Sequence, residues 1–135
     1  MSVTYVPAAL RKLISTRANG CCEYCLVSEE ISFATHQVDH IIAEKHGGLT
    51  VESNLALSCT ICNKRKGSDI ASIDDETGLV TPLFNPRAQV WREHFEIEKH
   101  QFVGLTPEGR ATIKLLQLNS RARVEERKIL ELLKS

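Results

Sequence analysis

The chain lacks the features that mark membrane and exported proteins. No apolar run approaches the length of about 18 residues that a membrane-spanning helix needs, so we expect no membrane contact. The first residues, Met-Ser-Val-Thr-Tyr-Val-Pro, do not place a basic region before an apolar stretch, so we expect no secretory signal. The sequence also has no internal repeat and no low-complexity segment. These absences predict a cytoplasmic globular protein.

The chain also lacks net charge. Its 17 Lys and Arg residues balance 17 Asp and Glu residues, whereas proteins that coat polyanions without specificity are usually strongly basic. A histone-like coat protein is therefore disfavoured. A nuclease is not excluded, because its local field matters more than its total charge. The remaining composition, with 42% hydrophobic residues in a chain of 135, is that of one ordinary globular domain.

Four of the five cysteines form two Cys-x-x-Cys pairs. A gap of two residues lets both thiolates of a pair reach one ion from a single turn, and two such pairs complete a tetrahedral zinc site. We expect the ligands to be Cys22, Cys25, Cys59 and Cys62. Cys21 offers an alternative register, but three residues separate it from Cys25, so we expect it to be a spare. Free buried cysteines are the competing interpretation. Four thiolates leave no open position for a substrate, which predicts a structural zinc ion.

The first half of the chain predicts a helix and a small finger. A proline near the start and a glycine after the end predict a helix over residues 6–18. Two strands are expected at residues 37–42 and 54–57, with a short helix over 63–70. Residues 31–33 give a weaker strand signal. A Gly-Gly pair lets the chain turn between the two strands.

The second half predicts mixed structure. Residues 71–89 are rich in turn formers but too apolar for a free linker, which predicts an ordered surface connection. Residues 95–98 and 101–104 are expected to form a small hairpin. Thr106-Pro107-Glu108 is a strong helix start, with a capping Thr, a proline at the first position and an acid in the first turn. A second helix is predicted over residues 120–134.

Residues 36–66 carry side chains that suit phosphodiester hydrolysis. That reaction needs a base to activate water and a cation to stabilise charge on the phosphate. His40 is the best base candidate, because imidazole can be neutral near physiological pH. Asp39 and Asn63 supply the oxygen ligands that Mg²⁺ prefers, and leave most of its shell to water and phosphate oxygens. Asn54 can bind backbone groups across the loop and fix the His40 ring.

The roles of several basic side chains stay open at this point. Each group either forms a solvated helix face or contacts phosphate: Arg11, Lys12 and Arg17 on the first helix, and Lys64, Arg65 and Lys66 on the short one. We select the second group as the nucleic-acid contacts. For His36 and His46, a packing or loop role is favoured over contact with metal or phosphate.

Four stretches resemble, in order and spacing, the HNH endonuclease motif framed by two Cys-x-x-Cys pairs: Val-Asp-His-Ile-Ile, Gly-Gly, Asn-Leu-Ala-Leu and Cys-x-x-Cys-Asn-Lys-x-Lys-Gly. The motif positions fall on His40, Asn54 and Asn63. The resemblance implies that His40 is the general base, that Asn54 orients it, and that Asp39 and Asn63 bind a catalytic Mg²⁺ or Mn²⁺ ion. It covers residues 21–67. Weaker similarity further on resembles small stand-alone bacterial HNH proteins.

The expected fold class is α+β, a zinc-stapled ββα-metal (HNH) finger with an N-terminal helix and a C-terminal hairpin plus two helices. We expect residues 1–135 to form a single HNH nuclease domain. Its parts would be an N-terminal helix (1–20), the zinc-stapled ββα core (21–70) and a C-terminal extension (71–135).

The expected function is metal-dependent hydrolysis of DNA, with Zn²⁺ in the structural site and Mg²⁺ or Mn²⁺ in the catalytic one. The alternative is a catalytically inactive, zinc-stapled module that binds nucleic acid, which would need the cysteines but not Asp39, His40 and Asn63. A purely structural role for His40 and Asn54 is disfavoured, because the whole set is present. No separate base-reading helix stands out, so a homodimer or a targeting partner remains open.

Overall fold

The computed structural model describes residues 5–32 and 34–134. The chain divides into two compact units, Met1–Ile70 with Asn85–Ala88, and Ala71–Phe84 with Gln89–Ser135. The predicted α+β class is confirmed, while the assignment of the whole chain to one nuclease domain stays a prediction. Within the described residues, no helix combines the length and the apolar character that crossing a bilayer requires.

The first unit begins with helix α1, which spans Ala8–Arg17. It is shorter than the predicted 6–18, because Pro7 lies before the helix as its cap and not at its first position. One face of α1 packs on a strand of the finger through a small apolar core. The fully buried members of that core are Ile14, Leu55 and Leu57, with Leu10, Ala18 and Val38 packed around them.

The finger itself consists of two strands and a helix. Strand β1 (Gln37–His40) pairs antiparallel with β2 (Leu55–Ser58), and His40 lies opposite Leu55. Helix α2 follows at Thr60–Lys66 and starts three residues before the predicted position. The reason is the Cys59 side chain, which accepts a hydrogen bond from the Cys62 N–H and so caps the helix.

Short turns connect these elements. Three 3₁₀ turns lie at Glu29–Ile31, Glu44–His46 and Glu52–Asn54. The weak strand expected at 31–33 is wrong for Ile31, which ends the first of these turns; Phe33 lies outside the described residues. Ser28 favours the turn over a strand, because its side chain caps the N–H of Glu30.

Among the described residues, the second unit contains two hairpins and three helices. The hairpin of β3 with β4 was not predicted, because its strands are short and are joined by turn-forming residues. The predicted hairpin of β5 with β6 and both C-terminal helices are confirmed. The elements are β3 (Ala71–Ile73), β4 (Val80–Pro82), α3 (Trp91–His94), β5 (Phe95–Glu98), β6 (Gln101–Gly104), α4 (Pro107–Leu116) and α5 (Arg121–Lys134).

Aromatic rings form the core of the second unit. Phe95 contacts Phe84 edge-to-face with ring centroids 5.2 Å apart, and it also contacts Trp91 and Phe102. The guanidinium of Arg127, on α5, lies 4.5 Å from the centre of the Phe102 ring on β6, which gives this cation an aromatic partner. Edge-to-face pairs of aromatic rings add to the stability that comes from burying their apolar area.

Candidate active site and metal centre

The two Cys-x-x-Cys pairs meet in one buried cluster. The Sγ atoms of Cys22, Cys25, Cys59 and Cys62 all lie within 4.8 Å of one another. The Sγ atoms of Cys25 and Cys59 are 3.7 Å apart, and ligands about 2.3 Å from a tetrahedral Zn²⁺ ion lie about 3.8 Å apart. The burial, number and spacing of these sulfurs therefore fit zinc. Cys21 lies outside the cluster, with its thiol 3.6 Å from the Asn19 carbonyl oxygen.

Each cysteine pair has the same local geometry. The Cys25 N–H donates to Cys22 Sγ at 3.4 Å, and the Cys62 N–H donates to Cys59 Sγ at 3.4 Å. Backbone donors of this kind stabilise the thiolate form, which is the form that binds metal. Hydrogen bonds from the other three cysteine side chains also hold the pKa of the Cys59 thiol far below its ordinary value. Hydrogen bonds within the cluster raise the pKa values of the Cys25 and Cys62 thiols, so Cys59 carries negative charge before these two cysteines do.

Glu23 ties the first cysteine pair to the finger. Its N–H donates to the Leu57 carbonyl oxygen at 2.9 Å, and its carboxylate accepts from the Leu57 N–H at 2.8 Å. Arg87 contacts the other oxygen of the Glu23 carboxylate. Glu23 therefore connects the first cysteine pair directly to strand β2.

A cleft of about 800 Å³ lies beside this cluster. Asp39, His40 and Asn63 line it together, although Asn63 lies on α2 and the other two on β1. Residues that were not selected from the sequence as site residues also line this cleft, among them Tyr5, Arg11 and Lys45. The structure therefore brings the three predicted reactive side chains into one space.

The His40 ring is held by Thr50. Its Nε2 atom lies 2.9 Å from Thr50 Oγ1, and the residue is only 6% exposed. This contact occupies one ring nitrogen and fixes the orientation of the ring. Thr50 was missed from the sequence, because its position depends on how the loop after β1 closes.

Asn54 closes that loop through the backbone. Its side chain accepts from the Ile42 N–H at 2.9 Å, and donates to the carbonyl oxygens of Ile42 at 3.0 Å and Leu49 at 2.9 Å. A Cβ atom on Gly48 would lie 1.7 Å from the Ile42 oxygen, so the close approach requires glycine. Asn54 thus binds the carbonyl oxygen of Leu49, the neighbour of Thr50, and its side-chain hydrogen bonds are with backbone groups of the loop and not with the His40 ring.

The comparison with protein families identifies the segment that contains this geometry. Residues 22–69 match the family model of the HNH endonuclease. This segment is an HNH domain. The match covers about a third of the chain and includes the four cysteines and every predicted catalytic residue. Comparison with curated proteins and with solved structures found no match. The HNH domain indicates a nuclease or nucleic-acid-binding function with a zinc site.

Within the HNH domain, one carboxylate oxygen of Asp39 has two polar partners. Lys66 Nζ lies 3.1 Å from Asp39 Oδ2, and the Tyr24 hydroxyl donates to the same oxygen at 3.2 Å. Burial raises the pKa of Asp39, and the Lys66 ammonium opposes that shift. Asp39 is therefore a buried carboxylate whose charge is already partly balanced.

Lys66 lies apart from the two basic residues it was grouped with. Lys64 and Arg65 are exposed on α2, whereas Lys66 is buried and points into the HNH domain. The sequence did contain a signal for this difference. Lys66 follows Cys62 by four residues, which places both on one face of the helix, and a zinc ligand must face inward.

Asn63 lies at the cleft in an orientation that suits a metal ligand. Its Nδ2 atom donates to Gln37 Oε1. This leaves the carbonyl oxygen, Oδ1, as the atom that offers lone pairs to a cation. Asn63 is half-buried, so it belongs to the wall of the cleft.

The other histidines of the HNH domain do not line the cleft. His36 is buried, with Nε2 2.8 Å from the Val27 carbonyl oxygen. His46 is exposed at the end of a 3₁₀ turn. A packing or loop role was expected for each histidine, and these positions agree with that expectation.

Proposed function

We propose that the HNH domain hydrolyses phosphodiester bonds in DNA with a divalent cation, Mg²⁺ or Mn²⁺, bound at the cleft. One observation carries this proposal: Asp39, His40 and Asn63 line the same cleft beside the four-cysteine cluster. A carboxylate and an amide oxygen are ligands that a hard cation prefers. The cation would stabilise charge on the phosphate and on the leaving oxygen.

His40 acts as the general base. Because Nε2 contacts the Thr50 hydroxyl at 2.9 Å, the other ring nitrogen, Nδ1, accepts the proton of the attacking water. Asn54 keeps Thr50 in place by binding the Leu49 carbonyl oxygen. Asn54 and Thr50 are positioning residues, since both act through the His40 ring.

The basic residues of α2 divide into two roles. Lys64 and Arg65 are exposed and contact the phosphates of the bound strand. Lys66 was selected with them, but its contacts with Asp39 and with the His40 carbonyl oxygen assign it to the support of the site. The zinc ion has no part in the chemistry, because four thiolates complete its shell.

A second candidate function is a zinc-stapled module that binds nucleic acid without cutting it. The contacts of Asp39 favour this candidate, because Lys66 and Tyr24 already use one of its oxygens. The two functions differ in their need for the carboxylate. An endonuclease requires Asp39, whereas a binding module does not.

The test uses zinc-loaded protein with supercoiled plasmid, single-stranded DNA and RNA, each in Mg²⁺, Mn²⁺ or Zn²⁺. We expect the wild type to cut DNA in Mg²⁺ or Mn²⁺, and Asp39→Asn to cut at least about 100-fold more slowly. The endonuclease proposal is refuted if the wild type cuts DNA in neither Mg²⁺ nor Mn²⁺. Equal DNA affinity of wild type and Asp39→Asn, without cleavage by either, would support the binding module.

A further inference from the structure

Lys66 is a buried cation held between two residues of the candidate site. It ends helix α2, is 2% exposed, and places Nζ 3.1 Å from Asp39 Oδ2 and 3.0 Å from the His40 carbonyl oxygen. A buried ammonium is stable only with such partners. Lys66 therefore connects the candidate metal ligand to the backbone of the candidate base.

The contacts of Asp39 are confined to one oxygen. Lys66 and Tyr24 both approach Oδ2, and no described residue donates a hydrogen bond to Oδ1. Two donors on one oxygen fix the rotation of the carboxyl group. Because Asp39 also lines the cleft, Oδ1 is the oxygen that remains for a cation.

From this geometry we propose that Lys66 is an internal cation that competes with the divalent ion for the charge of Asp39 and so weakens its binding. The inference rests on the proposed function, in which Asp39 binds that ion. Two cations that share one carboxylate repel each other, and the repulsion is strong where water is largely excluded. The affinity of a metal site falls as the net negative charge of its ligands is reduced.

Tyr24 separates this role from simple positioning. Its neutral hydroxyl binds the same oxygen at 3.2 Å, so a neutral donor is sufficient to orient the carboxyl group. The feature that Lys66 adds is charge. A substitution that removes the charge but keeps a polar side chain therefore isolates the proposed effect.

The experiment measures Mn²⁺ binding directly, by electron paramagnetic resonance of free Mn²⁺ in solutions of zinc-loaded protein. We expect Lys66→Gln to bind Mn²⁺ at least about fivefold more tightly than the wild type, because the repulsion is gone. Lys64→Gln is the matched control. It makes the same change of charge on the same helix, but at an exposed position where solvent screens it, so its affinity should stay within about twofold of the wild type.

Two further variants complete the series. Lys66→Arg keeps the charge, and Tyr24→Phe removes only the neutral donor, so neither should tighten Mn²⁺ binding. Unchanged or weaker binding in Lys66→Gln overturns the proposal. Equal tightening in Lys64→Gln also overturns it, because the effect would then reflect net charge alone.

A measurement on the wild type covers the case in which Lys66→Gln does not fold. The side-chain ¹⁵N signal of Lys66, assigned by its loss in Lys66→Arg, is followed during Mg²⁺ titration. We expect the chemical shift of this signal to change and then saturate. Its midpoint should fall at the Mg²⁺ concentration that gives half-maximal plasmid nicking. A signal that does not move at saturating Mg²⁺ refutes the proposal.

Asp39→Asn distinguishes this inference from the proposed function. If wild type and Asp39→Asn bind Mn²⁺ equally, or if neither binds it, the proposed function fails and the inference fails with it. If the wild type binds Mn²⁺ and Asp39→Asn does not, the proposed function stands. If Lys66→Gln then binds Mn²⁺ with the same affinity as the wild type, the inference alone fails.

Discussion

The side-chain amide of Asn54 binds both backbone groups of Ile42, accepting from its N–H at 2.9 Å and donating to its carbonyl oxygen at 3.0 Å. Asn54 ends the 3₁₀ turn just before β2, and Ile42 lies just after the end of β1. The pair therefore closes the loop that carries Thr50 and sets where Thr50 meets the His40 ring.

Asn54→Ala should open this loop. Removing the amide leaves the backbone groups of Ile42 without their partner, which costs about 1–3 kcal/mol of unfolding free energy. Nicking should fall as well, because Thr50 no longer holds the His40 ring. Urea unfolding and plasmid nicking check both effects. Ser53→Ala, at the exposed neighbouring position, should behave like the wild type. Wild-type activity in Asn54→Ala would show that the loop does not position the base.

Thr50→Val should lower kcat with little change in KM. Valine has nearly the shape of threonine but cannot bind Nε2, so the ring loses its orientation while the cleft keeps its form. Thr50→Ser keeps the hydroxyl and should restore most of the rate. Steady-state kinetics across pH gives the comparison. If valine and serine variants are equally active, Thr50 has no role in the reaction.

How much of this site was predictable differs from residue to residue. The cysteine cluster was predictable, because each Cys-x-x-Cys pair supplies two of four zinc ligands. Two pairs can bind the same ion only if the fold brings them together. Asp39, His40 and Asn63 were selected for the chemistry of their side chains, and the structure places all three along one cleft, while their roles stay a prediction. Thr50 was not, because its contact with His40 depends on loop closure across ten residues. No local pattern encodes such a contact.

The fold shows the same limit. The β5–β6 hairpin and the capped start of α4 follow from local residue choices and were predicted. The β3–β4 hairpin was missed, because its strands have three residues each and the turn between them dominates the pattern. Asp74 organises that turn by accepting from the N–H groups of Glu76 and Thr77, and it also pairs with Arg110 on α4. The partner that fixes the turn is thus distant in sequence.

Arg11→Gln should weaken DNA binding, whereas Lys12→Gln should not. Both residues are exposed on α1, but only Arg11 lines the cleft. Loss of one phosphate contact should weaken the binding of all DNA sequences alike. It should also reduce the slope of log affinity against log salt concentration by about one. Fluorescence anisotropy at several salt concentrations, in the His40→Ala background, makes the measurement. Equal effects of the two substitutions would mean that the cleft wall does not bind the strand.

Cys59→Ser should remove the zinc ion and unfold the finger, because the metal replaces a core that is too small to hold it. Cys21→Ser should keep a full complement of zinc, since its thiol contacts the Asn19 carbonyl oxygen and lies outside the cluster. Metal analysis and circular dichroism of both variants check this assignment. Loss of zinc in Cys21→Ser would show that the register of the site is wrong.

In the proposed function, zinc supports the fold while His40 performs the chemistry in the neighbouring cleft. The most direct measurement is the initial rate of plasmid nicking by His40→Ala and wild type in Mn²⁺, with zinc content and melting temperature determined on the same samples. We expect His40→Ala to keep its zinc and its melting temperature but to nick at least about 100-fold more slowly. A zinc-loaded, folded His40→Ala protein that nicks at the wild-type rate would contradict it.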